Sequence, residues 1–103
     1  MVDELRINSK TYGTWICAYL SASNFHQLWI PEGFAHGFFT LSEFAEVFYK
    51  TTNFWDKVSE RSICWNDPSL DINWPLLNSS PSLSEKDSKA PYLKNIPQSM
   101  LFK

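Results

Sequence analysis

Short runs of β-branched and aromatic residues follow one another closely along this chain, with turn-forming residues between them. Four such runs occupy residues 15–20, 27–30, 35–41 and 44–52. Pro31-Glu32-Gly33 ends the second run, and Ser42-Glu43 joins the third to the fourth. Runs of this length and composition, bounded by such turns, are typical of β-strands. The start of the fourth run is also compatible with a helix, although its aromatic and β-branched content favours a strand.

Strands this close together, with no helical pattern between them, indicate an antiparallel sandwich or barrel. The composition agrees, because five Trp, four Tyr and eight Phe suit a pleated, half-buried surface. We therefore expect an all-β fold, an antiparallel partial jelly roll of four or five strands. An incomplete roll leaves sheet edges open, and open edges favour association with another chain.

The C-terminal part of the chain is richer in loops. With 103 residues the chain is long enough for one domain. Residues 78–82 form a linker-like cluster, and Ser84 with Asp87 has the spacing of a helix N-cap followed by a short helix. We predict a domain over residues 1–94 and a loose tail over residues 95–103, where no periodic pattern is visible.

Charge and hydropathy exclude several classes of function. The net charge is −2 and the basic residues are scattered, which argues against nucleic-acid binding. No apolar run approaches the roughly 20 residues that span a bilayer, and the first residues do not form a signal peptide. Cys17 and Cys64 lie in apolar runs, and we expect a reduced, buried pair. These features predict a cytoplasmic protein.

The third and fourth runs place a histidine beside a tyrosine. If Ser42 and Glu43 form the turn, His36 falls opposite Tyr49 on one face of the sheet. Opposed side chains in an antiparallel pair have Cβ atoms about 4.5–5.5 Å apart. Imidazole and phenol groups on an otherwise apolar wall can transfer protons. The same spacing also fits a core histidine that is hydrogen-bonded to a buried tyrosine hydroxyl.

Metal and nucleophile chemistry have little support in the sequence. A metal site needs three or more converging ligands, whereas the histidines are His26 and His36, ten residues apart. No serine lies in a Gly-x-Ser-x-Gly turn. The indoles of Trp55, Trp65 and Trp74 can stack on a sugar or a base, although rings in small β proteins are usually part of the core.

Longer tracts of the sequence closely resemble the dTDP-4-dehydrorhamnose 3,5-epimerases. The likeness is densest in QLWIPEGFAHGF, LSE and AEVFYKTT, at residues 27–38, 41–43 and 45–52. It continues through residues 59–61, 65–68, 71–75 and 83–87, and upstream through 3–6 and 12–15. Many ordered blocks at matching spacing are far more specific than one short motif.

This resemblance implies a homodimeric, metal-free jelly roll of the cupin type that uses no cofactor. Its substrate is a dTDP-4-keto-6-deoxyhexose, which is inverted at C3 and C5 on the way to dTDP-rhamnose. In such enzymes a His–Asp dyad removes the proton and a tyrosine returns one from the opposite face. By motif, Tyr49 resembles the tyrosine acid and Asp87 the carboxylate that orients the histidine. Substrate contacts are implied for four residues, His36, Glu60, Lys86 and Trp55.

The resemblance also implies a histidine base in an Arg-Gly-Leu-His block, and these 103 residues contain no such block. A positioned base contributes about 10²–10⁴-fold to a rate, so we expect this chain alone to bind the nucleotide sugar weakly without epimerising it measurably. Two alternatives stay open. Our first interpretation is a fragment of an epimerase; the alternatives are a non-catalytic half-cupin module that pairs with a full-length epimerase, and a variant that inverts one carbon only.

Overall fold

A computed structural model describes residues 1–76 and 80–102. Its centre is a three-stranded sheet in the order β2-β1-β3, with both neighbours antiparallel to β1. The strands are β1 (Val2–Glu4), β2 (Trp15–Ile16) and β3 (Phe34–His36). Three short helical elements follow, the α-helix α1 (Glu85–Ser88) and the 3₁₀ turns Leu93–Asn95 and Gln98–Met100. An antiparallel sheet with little helix is therefore the observed class of fold.

The central strand, β1, is the one that the sequence patterns missed. All three of its residues are buried, although two of them, Asp3 and Glu4, are acidic. A tight connection to β2 holds it, because Glu4 accepts a 2.9 Å hydrogen bond from the backbone N–H of Gly13 and donates its own to the Thr14 carbonyl. Gly13 has φ of 75°, a left-handed conformation that glycine adopts without strain.

The two faces of this sheet have different roles. Asp3 pairs with both Trp15 and Ala35, so these three side chains share one face. Ala35 packs on a core cluster formed by Leu5, Leu70 and Leu93. The opposite face holds the alternate residues of the strands, Val2, Glu4, Phe34 and His36. The register therefore directs His36 away from the core.

The predicted strands are longer than the observed ones. The run at 15–20 is a strand only at Trp15–Ile16, and the run at 35–41 only within Phe34–His36. The runs at 27–30 and 44–52 form neither strand nor helix. From residue 38 to 55 the described chain makes no backbone–backbone hydrogen bond to another described residue. Strand propensity alone does not make a ladder, which needs a neighbouring strand for its N–H and C=O groups.

The C-terminal part follows the sequence more closely. Ser84 caps α1 as predicted, accepting a 3.1 Å hydrogen bond from the backbone N–H of Asp87. Ile96 and Leu101 pack on the core cluster, and the Ile7 N–H donates to the Phe102 carbonyl. The division into a domain over residues 1–94 and a tail over residues 95–103 stays a prediction. Residues 77–79 and 103 lie outside the description, so the linker-like cluster is seen only from residue 80.

Two further expectations concern the cysteines and the membrane. Cys17 and Cys64 are both free thiols, but Cys17 is exposed and Cys64 half-buried, so the predicted buried pair was wrong. Cys17 follows directly after β2, beyond the part of its run that is paired. Within residues 1–76 and 80–102, no helix has the length and apolar character needed to cross a bilayer.

Candidate active site

The imidazole of His36 lies against the phenol ring of Tyr49. The ring centroids are 5.9 Å apart and the ring planes are inclined by 46°. This confirms the predicted neighbourhood of the two side chains, although no hydrogen-bonded ladder joins their segments in the described chain. The pair is accessible, since Tyr49 is 53% exposed and His36 lies on the face of the sheet opposite the core. A small molecule can reach both groups.

One apolar side chain, Phe34, lies on the same sheet face as His36, and Phe38 and Val47 are exposed apolar side chains further along the chain. The predicted apolar wall is confirmed only in part, because Glu4 lies on the same face. An accessible imidazole and phenol fit proton transfer better than the alternative of a buried structural pair, since water and ligands reach both rings.

A second group of predicted site residues forms around an ion pair. Lys86 Nζ lies 2.6 Å from Glu60 Oε1, joining residues 26 positions apart. The hydrogen bond from Lys86 lowers the pKa of Glu60, to which the Trp55 side chain also contributes, and Glu60 in turn raises the pKa of Lys86. The structure thus brings two of the four predicted substrate contacts, Glu60 and Lys86, into direct contact, with Lys86 supplying the positive charge.

Asp87 lies in α1, directly after Lys86. Its backbone N–H is capped by Ser84 and its negative charge helps to raise the pKa of Lys86. The side chain is exposed, on the surface of a four-residue helix. Among the described residues, no hydrogen bond or ion pair joins Asp87 to the His36–Tyr49 pair. Its predicted orienting role therefore stays a prediction.

An ion pair on the His36 face was not predicted from the sequence patterns. The Arg6 guanidinium donates to the Glu4 carboxylate through Nε at 2.8 Å and Nη2 at 2.6 Å, and lies over the Phe34 ring at 5.1 Å. Hydrogen bonding from Arg6 lowers the pKa of Glu4 to about 2. The sequence could have drawn attention to these two residues, because Glu4 and Arg6 both lie in residues 3–6, one of the blocks that resemble the family.

The opposite face contains an unusual acid. Asp3 is 1% exposed, and neither of its carboxylate oxygens has a hydrogen-bond partner in the described structure. Burial raises its pKa to about 6, and the nearby charges of Asp67 and Glu4 act in the same direction. Asp67 differs because it accepts hydrogen bonds from Ser69 and from the backbone N–H of Leu93, which hold its pKa low.

Two clefts lie away from the predicted site residues. The larger, of about 290 Å³, runs between Trp65 and Trp74, and the other, of about 250 Å³, lies between Tyr12 and Leu93. Neither is lined by any of the six predicted site residues. No group of three or more His, Cys, Asp or Glu side chains is arranged to hold a metal ion anywhere in residues 1–76 and 80–102.

Fold and site together define a β-sheet protein with ionisable side chains displayed on an open sheet face. A family model described as dTDP-4-dehydrorhamnose 3,5-epimerase matches residues 1–95. The chain therefore belongs to the dTDP-4-dehydrorhamnose 3,5-epimerase family.

Individual relatives carry the same name. The dTDP-4-dehydrorhamnose 3,5-epimerase of Pseudomonas aeruginosa is 58% identical over 84 residues, which are 82% of this chain and 46% of the relative. That of Salmonella typhimurium is 54% identical over 90 residues, covering 87% of this chain and 49% of the relative. The Escherichia coli K12 protein is 50% identical over 86 residues, or 84% and 46%. The chain thus spans about half the length of these curated relatives.

Proposed function

We propose that these residues form the C-terminal part of an epimerase that inverts C3 and C5 of a dTDP-4-keto-6-deoxyhexose. The observation that carries the proposal is the contact between His36 and Tyr49 on the open face of the sheet, with ring centroids 5.9 Å apart. Both belong to the tract in which the family resemblance is densest. The fold that we propose for the whole domain is a cupin-type jelly roll, of which the three strands are a part.

The chemistry follows from the ketone at C4. The protons on C3 and C5 are acidic because the carbanion left by their removal is delocalised onto the ketone oxygen. Inversion requires that a proton leaves from one face of the sugar and returns on the other. We assign the returning proton to the Tyr49 hydroxyl, which is accessible from the His36 face.

The remaining predicted residues serve binding and orientation. His36 contacts the sugar beside Tyr49, and the Lys86 ammonium with Glu60 recognises the polar part of the nucleotide. Trp55 offers an exposed indole for stacking on the base. Asp87 orients the histidine base, which belongs to a block that these 103 residues do not contain. This chain by itself is then expected to lack the proton-abstracting step.

A chimera tests this proposal directly. Residues 1–95 of this chain would replace the matching segment of the Pseudomonas aeruginosa epimerase, which supplies the remainder of its own sequence. Deuterium incorporation from D₂O at C3 and C5 of the keto sugar reports the reaction. The chimera should exchange both positions, and Y49F should slow the reaction by about 10²–10⁴-fold. A folded chimera without exchange would contradict the proposal, as would a Y49F chimera of undiminished rate.

The second candidate is a non-catalytic module that pairs with a full-length epimerase or with a second copy. It is favoured by the exposed apolar rings along residues 38–58, among them Phe48 at 84% and Phe54 at 97%. Exposed apolar surface on this scale marks an interaction site. Sedimentation of the labelled chain with and without a full-length relative tests pairing. A homodimer and a cytoplasmic location stay predictions.

A further inference from the structure

The side chain of Arg6 is held more firmly than its position on the surface suggests. Its Nε and Nη2 donate separately to the two carboxylate oxygens of Glu4, at 2.8 and 2.6 Å. The backbone N–H of Arg6 adds a 3.0 Å bond to the same carboxylate, and Ser9 adds another at 3.3 Å. The Glu4 side chain is only 3% exposed. A two-pronged contact with a buried acid fixes both the direction and the plane of the guanidinium.

Held in this way, Arg6 packs on the residues where β3 begins. The guanidinium lies 5.1 Å from the centre of the Phe34 ring, within the range of a cation–π contact. The aliphatic part lies on Gly33, where an added Cβ would be 2.7 Å from Arg6 Cγ. The preceding residue, Leu5, donates its backbone N–H to the Gly33 carbonyl at 3.0 Å. Arg6 therefore contacts both residues at the entrance to the strand.

The entrance to β3 decides where His36 points. Glu4 pairs with Phe34, and Val2 with His36, which places Glu4, Phe34 and His36 on one face. A shift of this register by one residue would turn His36 toward the core face that Ala35 now occupies. The strand has only three residues, and backbone hydrogen bonds at Met1–Gly37 and Leu5–Gly33 extend its pairing by one residue at each end. A ladder this short specifies the register weakly, and the contacts of Arg6 with Gly33 and Phe34 add to it at the Gly33 end.

We propose that Arg6 is a positioning residue, which fixes the register of β3 so that His36 meets Tyr49. It acts through Gly33 and Phe34 and contacts neither ring of the pair. The proposal deepens the proposed function and rests on it, since it gives Arg6 a purpose in the epimerase site. The contact between His36 and Tyr49 that it explains does not depend on catalysis and can be measured without substrate.

The first test is nuclear magnetic resonance of the 103-residue chain. Cross-relaxation between the ring protons of His36 and Tyr49 reports their contact, and that between Leu70 and Leu93 reports the core. In R6A the His36–Tyr49 signal should disappear while the core signal stays. K10A, which removes an exposed cation nearby, should change neither. An R6A spectrum that keeps the His36–Tyr49 signal would overturn the proposal.

Two further variants separate positioning from simple charge pairing. The double variant E4R/R6E keeps an ion pair but places a carboxylate beside Phe34, so we expect it to lose the ring contact as R6A does. If E4R/R6E preserves the contact, the ion pair alone is sufficient and Arg6 has no positioning role. Should R6A lose its core signal as well, F34L decides the question. Loss of the ring contact in a folded F34L supports the proposal, and its persistence overturns it.

The chimera allows a kinetic test of the role of Arg6. R6K retains the charge but cannot form the two-pronged contact. We expect R6K to lower kcat by up to about 10²-fold, because Tyr49 loses the ring that it packs against, and also to raise KM, because His36 is displaced from its contact with the sugar. An unchanged kcat in R6K would overturn positioning. An inactive parent chimera would count against the proposed function, whereas the resonance experiment would still decide the role of Arg6.

Discussion

His36 and Tyr49 touch across 13 residues of sequence, with their ring centroids 5.9 Å apart, although no backbone ladder joins their segments among the described residues. The contact is therefore made by side chains. Tyr49 reaches a ring that β3 holds in place, and its own segment is otherwise exposed. His36 is held in place by the sheet, whereas the position of Tyr49 depends on its surroundings. Variants of the two residues are therefore expected to behave differently.

We expect substitutions of the two rings to affect different kinetic constants in the chimera. Y49F should lower kcat because the proton donor is lost while the ring remains. H36N should chiefly raise KM, since His36 is assigned a binding contact that is made equally in ground and transition states. Steady-state rates with the keto sugar measure both. A fall in kcat for H36N as large as that for Y49F would assign His36 to proton transfer instead.

Trp55 should matter for nucleotide affinity and its neighbour should not. Removal of a stacking ring costs about 1–3 kcal/mol per base, so W55A should weaken dTDP binding to the chimera by that amount. Phe54 is the matched control, because it is an adjacent ring that is 97% exposed and has no assigned contact. Calorimetric titration compares the two. Equal losses in W55A and F54A would show that Trp55 has no specific role in stacking.

Asp3 should make the chain less stable as the pH rises. Its pKa is about 6 in the folded chain and 3.8 ordinarily, so between these values the unfolded chain releases a proton that the folded chain keeps. Stability is then lost as the pH rises from about 4 to 6, by up to roughly 3 kcal/mol.

The D3N variant tests this dependence. D3N cannot ionise, so its melting temperature should exceed that of the parent at pH 7, and this advantage should vanish near pH 4. Asp56 is the control, because its exposed carboxylate has a pKa lowered mainly by the Ser59 hydroxyl, and D56N should give no gain at pH 7. A parent protein whose thermal stability is flat between pH 4 and 6 would contradict the prediction.

Two glycines with similar backbone conformations should respond differently to alanine. Gly13 and Gly33 have φ of 75° and 87°, so each substitution carries a conformational cost of about 1–2 kcal/mol. An added Cβ at Gly13 meets open space, whereas at Gly33 it meets Arg6 Cγ at 2.7 Å. G33A should therefore destabilise the chain by a further amount of about 1–3 kcal/mol.

Denaturant unfolding of the single and double variants measures this difference. In the R6A background the clash is absent, so G33A should cost about as much as G13A does. The double-mutant cycle isolates the contact between Gly33 and Arg6. Equal costs for G13A and G33A in the parent would mean that the aliphatic part of Arg6 moves aside freely. The close packing at the start of β3 would then contribute nothing measurable to the free energy of unfolding.

Local patterns predicted some elements well. The Ser84 cap and the short helix after it depend on interactions within four residues, which the sequence specifies directly. The turn before β3 was also visible, because Pro31 and Gly33 suit a chain reversal and Gly33 adopts a positive φ. The neighbourhood of His36 and Tyr49 followed from a two-residue turn and alternation, even though the ladder that motivated it is not formed.

The central strand could not be predicted from its own residues. Val2–Glu4 contains two acids, which are depleted in strands, and its burial depends on partners 12 to 34 positions away. The run 44–52 shows the converse, since its composition favours a strand but no described segment pairs with it. The pairing of Glu60 with Lys86 likewise joins distant loops. The family resemblance predicted that Glu60 and Lys86 belong to one site, whereas their spacing along the chain gave no indication of it.

The sequence by itself determined the family, the β character and the neighbourhood of His36 and Tyr49, because these depend on residue types and short-range order. Tertiary structure decided which segment became the central strand, that Asp3 is buried with no hydrogen-bond partner among the described residues, and that Arg6 lies over the entrance to β3. These outcomes depend on contacts between segments far apart in the chain, whose free energies arise only when the chain is folded and which no local pattern records.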